Sequence, residues 1–211
     1  MNEHLMAGIK AVIFDQGNVL DSYDKANRTI ASRLGFLDYD DFVRFAAPYV
    51  RPFHLGMPEM KFLENVCRDA HIRPPERPII LDIYNAERTL NEGLLDVVAH
   101  IKSHGLKTGI ISNAEIPLKH FLEERKSRYS RLFDTITLSC DEKIAKPDVE
   151  IFTRTLVRLG VEARNAVYVD DVAKYVAIFE SLGGKGFHFT GNEKAVKGLS
   201  DILGRQLTFG K

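Results

Sequence analysis

Short apolar runs rich in β-branched residues recur along this 211-residue chain and constrain its fold more than any other feature. The runs are 11–14 (AVIF), 108–111 (TGII), 135–138 (TITL), 166–169 (AVYV) and 186–189 (GFHF). Each is too short for a helix and lacks the alternation of a half-exposed strand. This pattern is typical of a parallel sheet that is covered on both faces.

Segments with helical periodicity lie between these runs. Three of them, 92–104, 148–159 and 172–182, carry apolar residues at helical spacing and stop at a glycine. Strand and helix therefore alternate from about residue 92 to the C-terminus. The sequence predicts an α/β fold with a doubly wound, Rossmann-like parallel sheet and helices on both faces.

The region between the first strand and residue 86 has a different pattern. It contains four helical segments and no convincing strand, and the segments are 23–34, 39–47, 58–71 and 79–86. We therefore predict two domains. Residues 1–21 and 86–211 form the Rossmann-like core, and residues 22–85 form a small helical domain.

Composition and charge limit the classes of partner. The chain has 29 basic and 29 acidic residues, so it has no long-range field to attract nucleic acid or an anionic membrane. Cys67 and Cys140 lack zinc-site spacing. The N-terminal MNEHLMAGIK lacks the features of a signal peptide, and no apolar run approaches the roughly 18 residues of a membrane span. We expect a cytoplasmic protein with a small-molecule partner, and the sequence leaves its oligomeric state open.

Polar residues follow each of the first four predicted strands. They are Asp15-Gln16-Gly17-Asn18, Ser112-Asn113, the segment SCDEKIAKPD that contains Lys146, and Asp170-Asp171. In a doubly wound sheet, ligands bind at the edge formed by the carboxyl ends of the strands. These residues are therefore the candidates for a functional site.

The residue types in this set fit a hard cation together with an anion. Mg²⁺ favours octahedral oxygen coordination with one or two carboxylates, and Asp15 with one of the paired acids meets that requirement. The Ser112 hydroxyl, the Asn113 amide and Lys146 can then hold phosphoryl oxygens. The candidate site thus combines magnesium binding with phosphate binding.

The motifs FDQGNVL, GIISNA, KPDVEIF and VYVDD occur in this order and cover nearly the whole chain. With them the chain resembles the haloacid dehalogenase superfamily, specifically its phosphatase-like branch. The resemblance implies a Rossmann-like core and a Mg²⁺-dependent hydrolase activity. It also implies that residues 22–85 are a helical cap, inserted after the first motif, that closes over the site.

The resemblance also implies a role for each site residue. Asp15 would be the nucleophile that attacks phosphorus and forms an aspartyl-phosphate. Ser112 would bind the transferring phosphoryl group, and Lys146 would neutralise charge on that group and on Asp15. Asp170 and Asp171 would hold Mg²⁺ together with Asp15.

Gly17 departs from the family pattern. The family has a second aspartate there, which acts as general acid and base and gives its backbone carbonyl to the metal. Glycine keeps this carbonyl but cannot transfer a proton. Such a transfer typically contributes about 10²- to 10⁴-fold to the rate. We expect a phosphatase of a small phosphorylated metabolite of the sugar phosphate class, in which water, Asn18 or the substrate moves the proton.

Two alternatives remain open from the sequence. The first is a catalytically weak or inactive relative that binds a phosphorylated ligand or a protein; Tyr175, in place of a usual asparagine, and the neighbouring Lys174 favour it. The second is a 2-haloacid dehalogenase, since a halide leaves without protonation. Those enzymes, however, carry Tyr-Gly-Thr where this chain has Gly-Asn-Val, and they need no metal.

The helical region also holds candidates for substrate contact. Tyr23 lies where the chain enters this region, and Arg51 and His54 lie within it.

Overall fold

The computed structural model describes residues 8–208. Residues 1–7, which include most of the N-terminal segment considered for a signal peptide, and residues 209–211 lie outside the described part. The strands in the described part are β1 (Ala11–Phe14), β2 (Asp21–Ser22), β3 (Thr89–Leu90), β4 (Lys107–Ser112), β5 (Thr135–Leu138), β6 (Ala166–Asp170) and β7 (Lys185–His188). The α-helices are α1 (Asp24–Leu34), α2 (Tyr39–His54), α3 (Glu59–Asp69), α4 (Ile80–Glu87), α5 (Glu92–Ser103), α6 (Ile116–Glu124), α7 (Lys126–Leu132), α8 (Ser139–Glu142), α9 (Val149–Leu159), α10 (Ala173–Ser181) and α11 (Asn192–Leu203).

Five strands form one parallel sheet in the order β5-β4-β1-β6-β7. The strand β1 pairs with β4 on one side and with β6 on the other, so the first strand of the chain lies in the middle of the sheet. The order changes direction at β1, which makes its carboxyl end the switch point where ligands bind in such folds. All five predicted strands are confirmed within one or two residues.

The apolar side chains of β1 point alternately to the two faces of the sheet, so both faces must be covered, and helices cover them. Val12 and Phe14 belong to one hydrophobic cluster, which also contains buried residues of α5 and α11. Ala11 and Ile13 belong to a second cluster with buried residues of α9 and α10. All four β1 residues are fully buried, as a strand in the middle of a covered parallel sheet requires.

The helices α1 to α4 fill the region between β1 and α5, and the two connections that flank them pair as the short antiparallel strands β2 and β3. The predicted end of the second helix at residue 47 is wrong. Helix α2 continues through Pro48 and Pro52 to His54. The last turn brings Phe53 into a stacked contact with Phe62 of α3, with ring centroids 4.2 Å apart. This buried packing offsets the backbone hydrogen bonds that the prolines cannot donate.

The end of α9 follows the sequence signal closely. Gly160 adopts a left-handed conformation with φ of 62°, and its N–H bonds back to the carbonyls of Leu156 and Val157. Glycine reaches this conformation without the steric cost that a Cβ imposes.

Among the described residues, no helix combines the length and the apolar character that crossing a bilayer requires.

A buried ion pair ties β2 to the end of α4. The guanidinium of Arg88 donates to both oxygens of Asp21 at 2.8 Å, and the two side chains are only 3% and 0% exposed. Gln16 donates a further hydrogen bond to Asp21 at 2.9 Å, and the Arg88 guanidinium lies 4.6 Å from the ring centroid of Tyr84. The pair therefore anchors both ends of the helical region at the sheet.

Removing one partner of this pair leaves the other charge buried and uncompensated. We expect Asp21→Ala to lower the free energy of unfolding by about 3–5 kcal/mol, as urea denaturation measures. The matched control is Asp24→Ala on α1, which breaks the exposed pair between Asp24 and Arg28 at 2.9 Å. That control should cost no more than about 1 kcal/mol. Equal losses in the two variants would contradict a structural role for the buried pair.

Candidate active site

The carboxyl ends of β1, β4 and β6 bring three predicted site residues to one edge of the sheet. Asp15 directly follows β1, Ser112 ends β4 and Asp170 ends β6. The backbone N–H of Asp15 donates to the carbonyl of Val169 at 2.8 Å, which extends the strand pairing up to the site. The three residues lie at neighbouring strand ends because β1 lies between β4 and β6.

Lys146 lies between two of these carboxylates. Its Nζ is 2.8 Å from Oδ1 of Asp15 and 2.7 Å from Oδ2 of Asp170, and the lysine side chain is 1% exposed. The ammonium also donates to the Tyr168 hydroxyl at 2.9 Å. Burial opposes the charge of the ammonium, but Asp15 and Asp170 outweigh that effect and raise the pKa of Lys146. Lys146 is therefore a charged bridge between the two strand ends.

Asn113 fixes the backbone of the loop that carries Lys146. Its Oδ1 accepts from the N–H of Lys146 at 2.7 Å, and its Nδ2 donates to the carbonyl of Lys146 at 2.9 Å. These two hydrogen bonds orient one residue from both of its backbone groups. Asn113 was predicted to bind phosphate, and this positioning contact has no signal in the sequence.

The acidic residues form a compact cluster. Carboxylate oxygens of Asp15, Asp170 and Asp171 lie within 4.8 Å of one another. Burial raises the pKa of Asp15 to about 7, with a further contribution from the charge of Asp170. Three carboxylates against the single ammonium of Lys146 leave an excess of negative charge. Hard oxygen ligands with such an excess fit a divalent cation such as Mg²⁺.

The paired acids have different surroundings. Asp170 is fully buried; its Oδ1 accepts from the N–H of Val172 at 2.7 Å, and its Oδ2 contacts Lys146 and the hydroxyl of Tyr168. Asp171 is half-buried, and its Oδ2 accepts from Nδ2 of Asn18 at 3.2 Å. Asp170 is thus held by several protein groups, whereas Asp171 faces the cavity that borders the site.

The structure shows what occupies the space beside Gly17. A Cβ on Gly17 would lie 2.7 Å from Cε1 of Tyr23, well inside the contact distance of two carbon atoms. The Tyr23 hydroxyl accepts from Nδ2 of Asn18 at 3.1 Å. Burial raises the pKa of Tyr23 to about 12, and the charges of Asp171 and Asp15 contribute. A protonated tyrosine therefore takes the place that a larger side chain at position 17 would need.

The cavity that borders the site has a volume of about 330 Å³. It is lined by Asp15, Ser112 and Lys146 together with side chains from the helical region. Of the candidates in that region, Tyr23 and His54 line the cavity, whereas Arg51 forms an exposed ion pair with Asp148 at 2.9 Å.

Two residues that line the cavity, Tyr84 and Glu115, were not predicted from the sequence. Glu115 is buried and accepts a hydrogen bond of 2.6 Å from the Tyr84 hydroxyl. Its other oxygen lies 3.8 Å from Nε2 of His54, whose pKa is lowered chiefly by burial. No local signal marks this group, because its members come from α2, α4 and the start of α6.

Introducing a carboxylate at position 17 should conflict with Tyr23. We expect Gly17→Asp to lower the free energy of unfolding by about 1–3 kcal/mol, because the new Cβ overlaps the tyrosine ring. Combining it with Tyr23→Ala should recover part of this loss and give a coupling energy of about 0.5–3 kcal/mol. Urea denaturation of the wild type, both single variants and the double variant measures this coupling. Strictly additive losses would contradict the proposed overlap.

Magnesium binding at the acidic cluster should stabilise the folded protein. At about 100 times its dissociation constant, a bound ion adds about 2.7 kcal/mol, which raises Tm by about 5–10 °C in a chain of this size. Asp171→Asn should at least halve this rise. Asp201→Asn, an exposed change on α11, is the matched control and should keep it. The same rise in all three proteins would place the ion elsewhere.

Comparisons with known proteins point to one family of hydrolases. A model of the haloacid dehalogenase-like hydrolase family matches residues 9–181. Bifunctional epoxide hydrolase 2 of Sus scrofa is 26% identical over 228 aligned positions, which cover 94% of this chain and 40% of that protein. Sesquiterpene phosphatase astK of Aspergillus oryzae is 26% identical over 207 positions, covering 92% of this chain and 97% of that protein.

A solved structure supports the fold. The HAD family enzyme BT-2542 of Bacteroides thetaiotaomicron, in complex with magnesium and inorganic phosphate, superimposes with a TM-score of 0.67 at 16% identity. The match covers 87% of this chain and 95% of that one. The present chain spans less than half of the epoxide hydrolase but nearly the whole of the fungal phosphatase. Because the family model matches most of its length, the chain belongs to the haloacid dehalogenase-like hydrolase family.

Proposed function

We propose that this hydrolase is a magnesium-dependent phosphatase of a small phosphorylated metabolite, with Asp15 as its nucleophile. The observation that carries the proposal is the contact between Lys146 Nζ and Asp15 at 2.8 Å, inside an acidic cluster that borders a cavity. The similarity to the fungal sesquiterpene phosphatase supports the same reaction class.

In the first step, a carboxylate oxygen of Asp15 attacks phosphorus, and the bond between phosphorus and the ester oxygen breaks. This gives an aspartyl-phosphate and the free alcohol, whose oxygen takes up a proton. In the second step, water attacks the aspartyl-phosphate, which releases inorganic phosphate and restores Asp15. Lys146 holds Asp15 in position and offsets the negative charge that accumulates in both steps.

Ser112 and Asn113 would bind the phosphoryl group beside Lys146. Ser112 lines the cavity at the end of β4. The side chain of Asn113 bonds to the backbone of Lys146, so this residue also fixes the position of the ammonium. Both residues precede α6, and groups held on rigid elements bind a transferring group with the required precision.

Asp15, Asp170 and Asp171 would hold the magnesium ion, together with the backbone carbonyl of Gly17. When bound, magnesium supplies positive charge that polarises the phosphoryl oxygens and reduces their repulsion from the carboxylates. The proton for the leaving alcohol comes from another source. Asn18 donates to Tyr23 and Asp171, so water or the substrate itself is left to carry this proton.

We propose that residues 22–85 act as a cap over a core of residues 1–21 and 86–211. Contacts between the two parts support the placement of the cap on the core. The Ser139 hydroxyl donates to the carbonyl of His54 at 2.6 Å, and Lys143 Nζ donates to the carbonyl of Leu55 at 3.1 Å. Opening of such a cap would admit the substrate, and closure would exclude water.

A cytoplasmic location is part of the same proposal. Cys67 and Cys140 are both free and buried, which suits a reducing compartment. The equal numbers of basic and acidic residues favour a small-molecule partner over nucleic acid or a membrane surface.

The direct test is phosphate release from p-nitrophenyl phosphate with and without Mg²⁺. The wild type should show metal-dependent turnover, and Asp15→Asn should lower kcat by about 10³-fold or more, because the nucleophile is lost. Asp96→Asn, an exposed change on α5, is the control and should leave kcat unchanged. The activated ester depends least on a general acid, so the absence of Asp at position 17 should not suppress it.

Two results would overturn this proposal. Phosphate release that persists in Asp15→Asn or in the presence of EDTA would exclude the proposed nucleophile or metal. Halide release from a 2-haloacid, without phosphate release from any ester, would instead support the dehalogenase alternative.

A further inference from the structure

The cavity beside Asp15 has walls that are mostly apolar. Its lining includes aliphatic and aromatic side chains from α1, α2, α3, α4 and α6, each no more than 7% exposed. The principal ones are Ile30, Phe42, Phe53, Phe62, Ile80 and Leu118. Asp15, Ser112 and Lys146 line the same cavity from the sheet edge. The space next to the phosphoryl site is therefore bounded largely by hydrocarbon.

The charged groups in the helical part of the cavity are already paired with protein partners. Arg88 donates to both oxygens of Asp21, and both side chains are nearly inaccessible. Glu115 accepts from Tyr84 at 2.6 Å. Asn27, His54 and Tyr23 also line the cavity, but most of its lining is apolar, so some hydroxyls of a sugar would face hydrocarbon. Each unpaired hydroxyl would weaken binding by about 5- to 150-fold.

We propose that the substrate of this site is the phosphate monoester of an apolar alcohol, in place of the sugar phosphate expected from the sequence. This inference rests on the proposed phosphatase function. An engineered apolar cavity of about 150 Å³ accommodates benzene. The cavity here, at about 330 Å³, is roughly twice as large. On this scale it holds about 13 heavy atoms, which fits a phosphate group with an apolar group of up to about eight carbon atoms.

The test compares kcat/KM for a series of n-alkyl phosphates with that for glucose 6-phosphate, using p-nitrophenyl phosphate as the common reference. All alkyl esters are used below their micelle-forming concentration. Each added methylene should raise kcat/KM about threefold to fourfold, because it transfers apolar surface from water to the cavity. Octyl phosphate should thus exceed butyl phosphate by about 100-fold, and glucose 6-phosphate should fall below both.

A pair of neighbouring alanines on α2 provides a matched control. Ala46 is buried and lines the cavity, whereas Ala47 is exposed on the same helix. Ala46→Phe should lower kcat/KM for octyl phosphate by about tenfold or more, because the ring occupies the space of the alkyl chain. It should change the value for butyl phosphate by less than about threefold. Ala47→Phe should change neither.

A second variant covers the case in which Ala46→Phe fails to fold. Val50 also lines the cavity but is 38% exposed, so Val50→Phe adds volume where the protein has room to adjust. It should also reduce the preference for octyl over butyl phosphate. An unchanged chain-length dependence in a folded Val50→Phe or Ala46→Phe variant would overturn the assignment of the apolar walls to the substrate.

Binding to Asp15→Asn separates this inference from the proposed function. Calorimetry on that variant should show octyl phosphate binding about 100-fold tighter than butyl phosphate, whether or not the wild type turns over. Metal-dependent hydrolysis of p-nitrophenyl phosphate, with glucose 6-phosphate preferred over every alkyl ester, would overturn the inference and keep the phosphatase. Tight octyl phosphate binding without hydrolysis by the wild type would overturn the phosphatase and keep the apolar-ester site.

Discussion

The ammonium of Lys146, held between Asp15 and Asp170, is the interaction on which the rest of the site depends. A lysine with 1% of its side chain exposed keeps its charge only because two carboxylates lie within 2.8 Å of its Nζ. Its removal would leave those carboxylates facing each other in a buried site. Lys146 therefore links the ends of β1 and β6, and Asn113, which follows β4, fixes its backbone.

Two parts of the structure contribute different chemistry to one cavity. The sheet edge supplies the carboxylates, the hydroxyl of Ser112 and the ammonium of Lys146, which match a phosphoryl group and a cation. The helices α1 to α4 supply mostly apolar walls, together with Tyr23, His54 and Tyr84. In the proposed function, the sheet edge carries the reaction, and the helices set the environment of the group attached to phosphorus.

Much of the fold could be predicted because its signals are local. The five strands of the sheet, and α5, α9 and α10, lie within one or two residues of their predicted bounds. The continuation of α2 past Pro48 was missed because the contact between Phe53 and Phe62 overrides the local preference for a break. No bounds were predicted for helices α6, α7, α8 and α11 or for the β2–β3 pair. Helices α7 and α8 and the two strands are short and depend on long-range contacts, whereas α11, with 12 residues, carries a local pattern that was missed.

The sequence by itself determined which chemical groups follow the strands, because the apolar runs and their order in the chain fix them: Asp15, Ser112, the paired acids, and Lys146 in the loop between α8 and α9. Only the tertiary structure decided what those groups meet. The ring of Tyr23 beside Gly17, the two hydrogen bonds between Asn113 and the backbone of Lys146, and the apolar walls of the cavity join segments that are far apart or belong to different elements. Such contacts depend on how whole helices pack, and packing is a property of the folded chain.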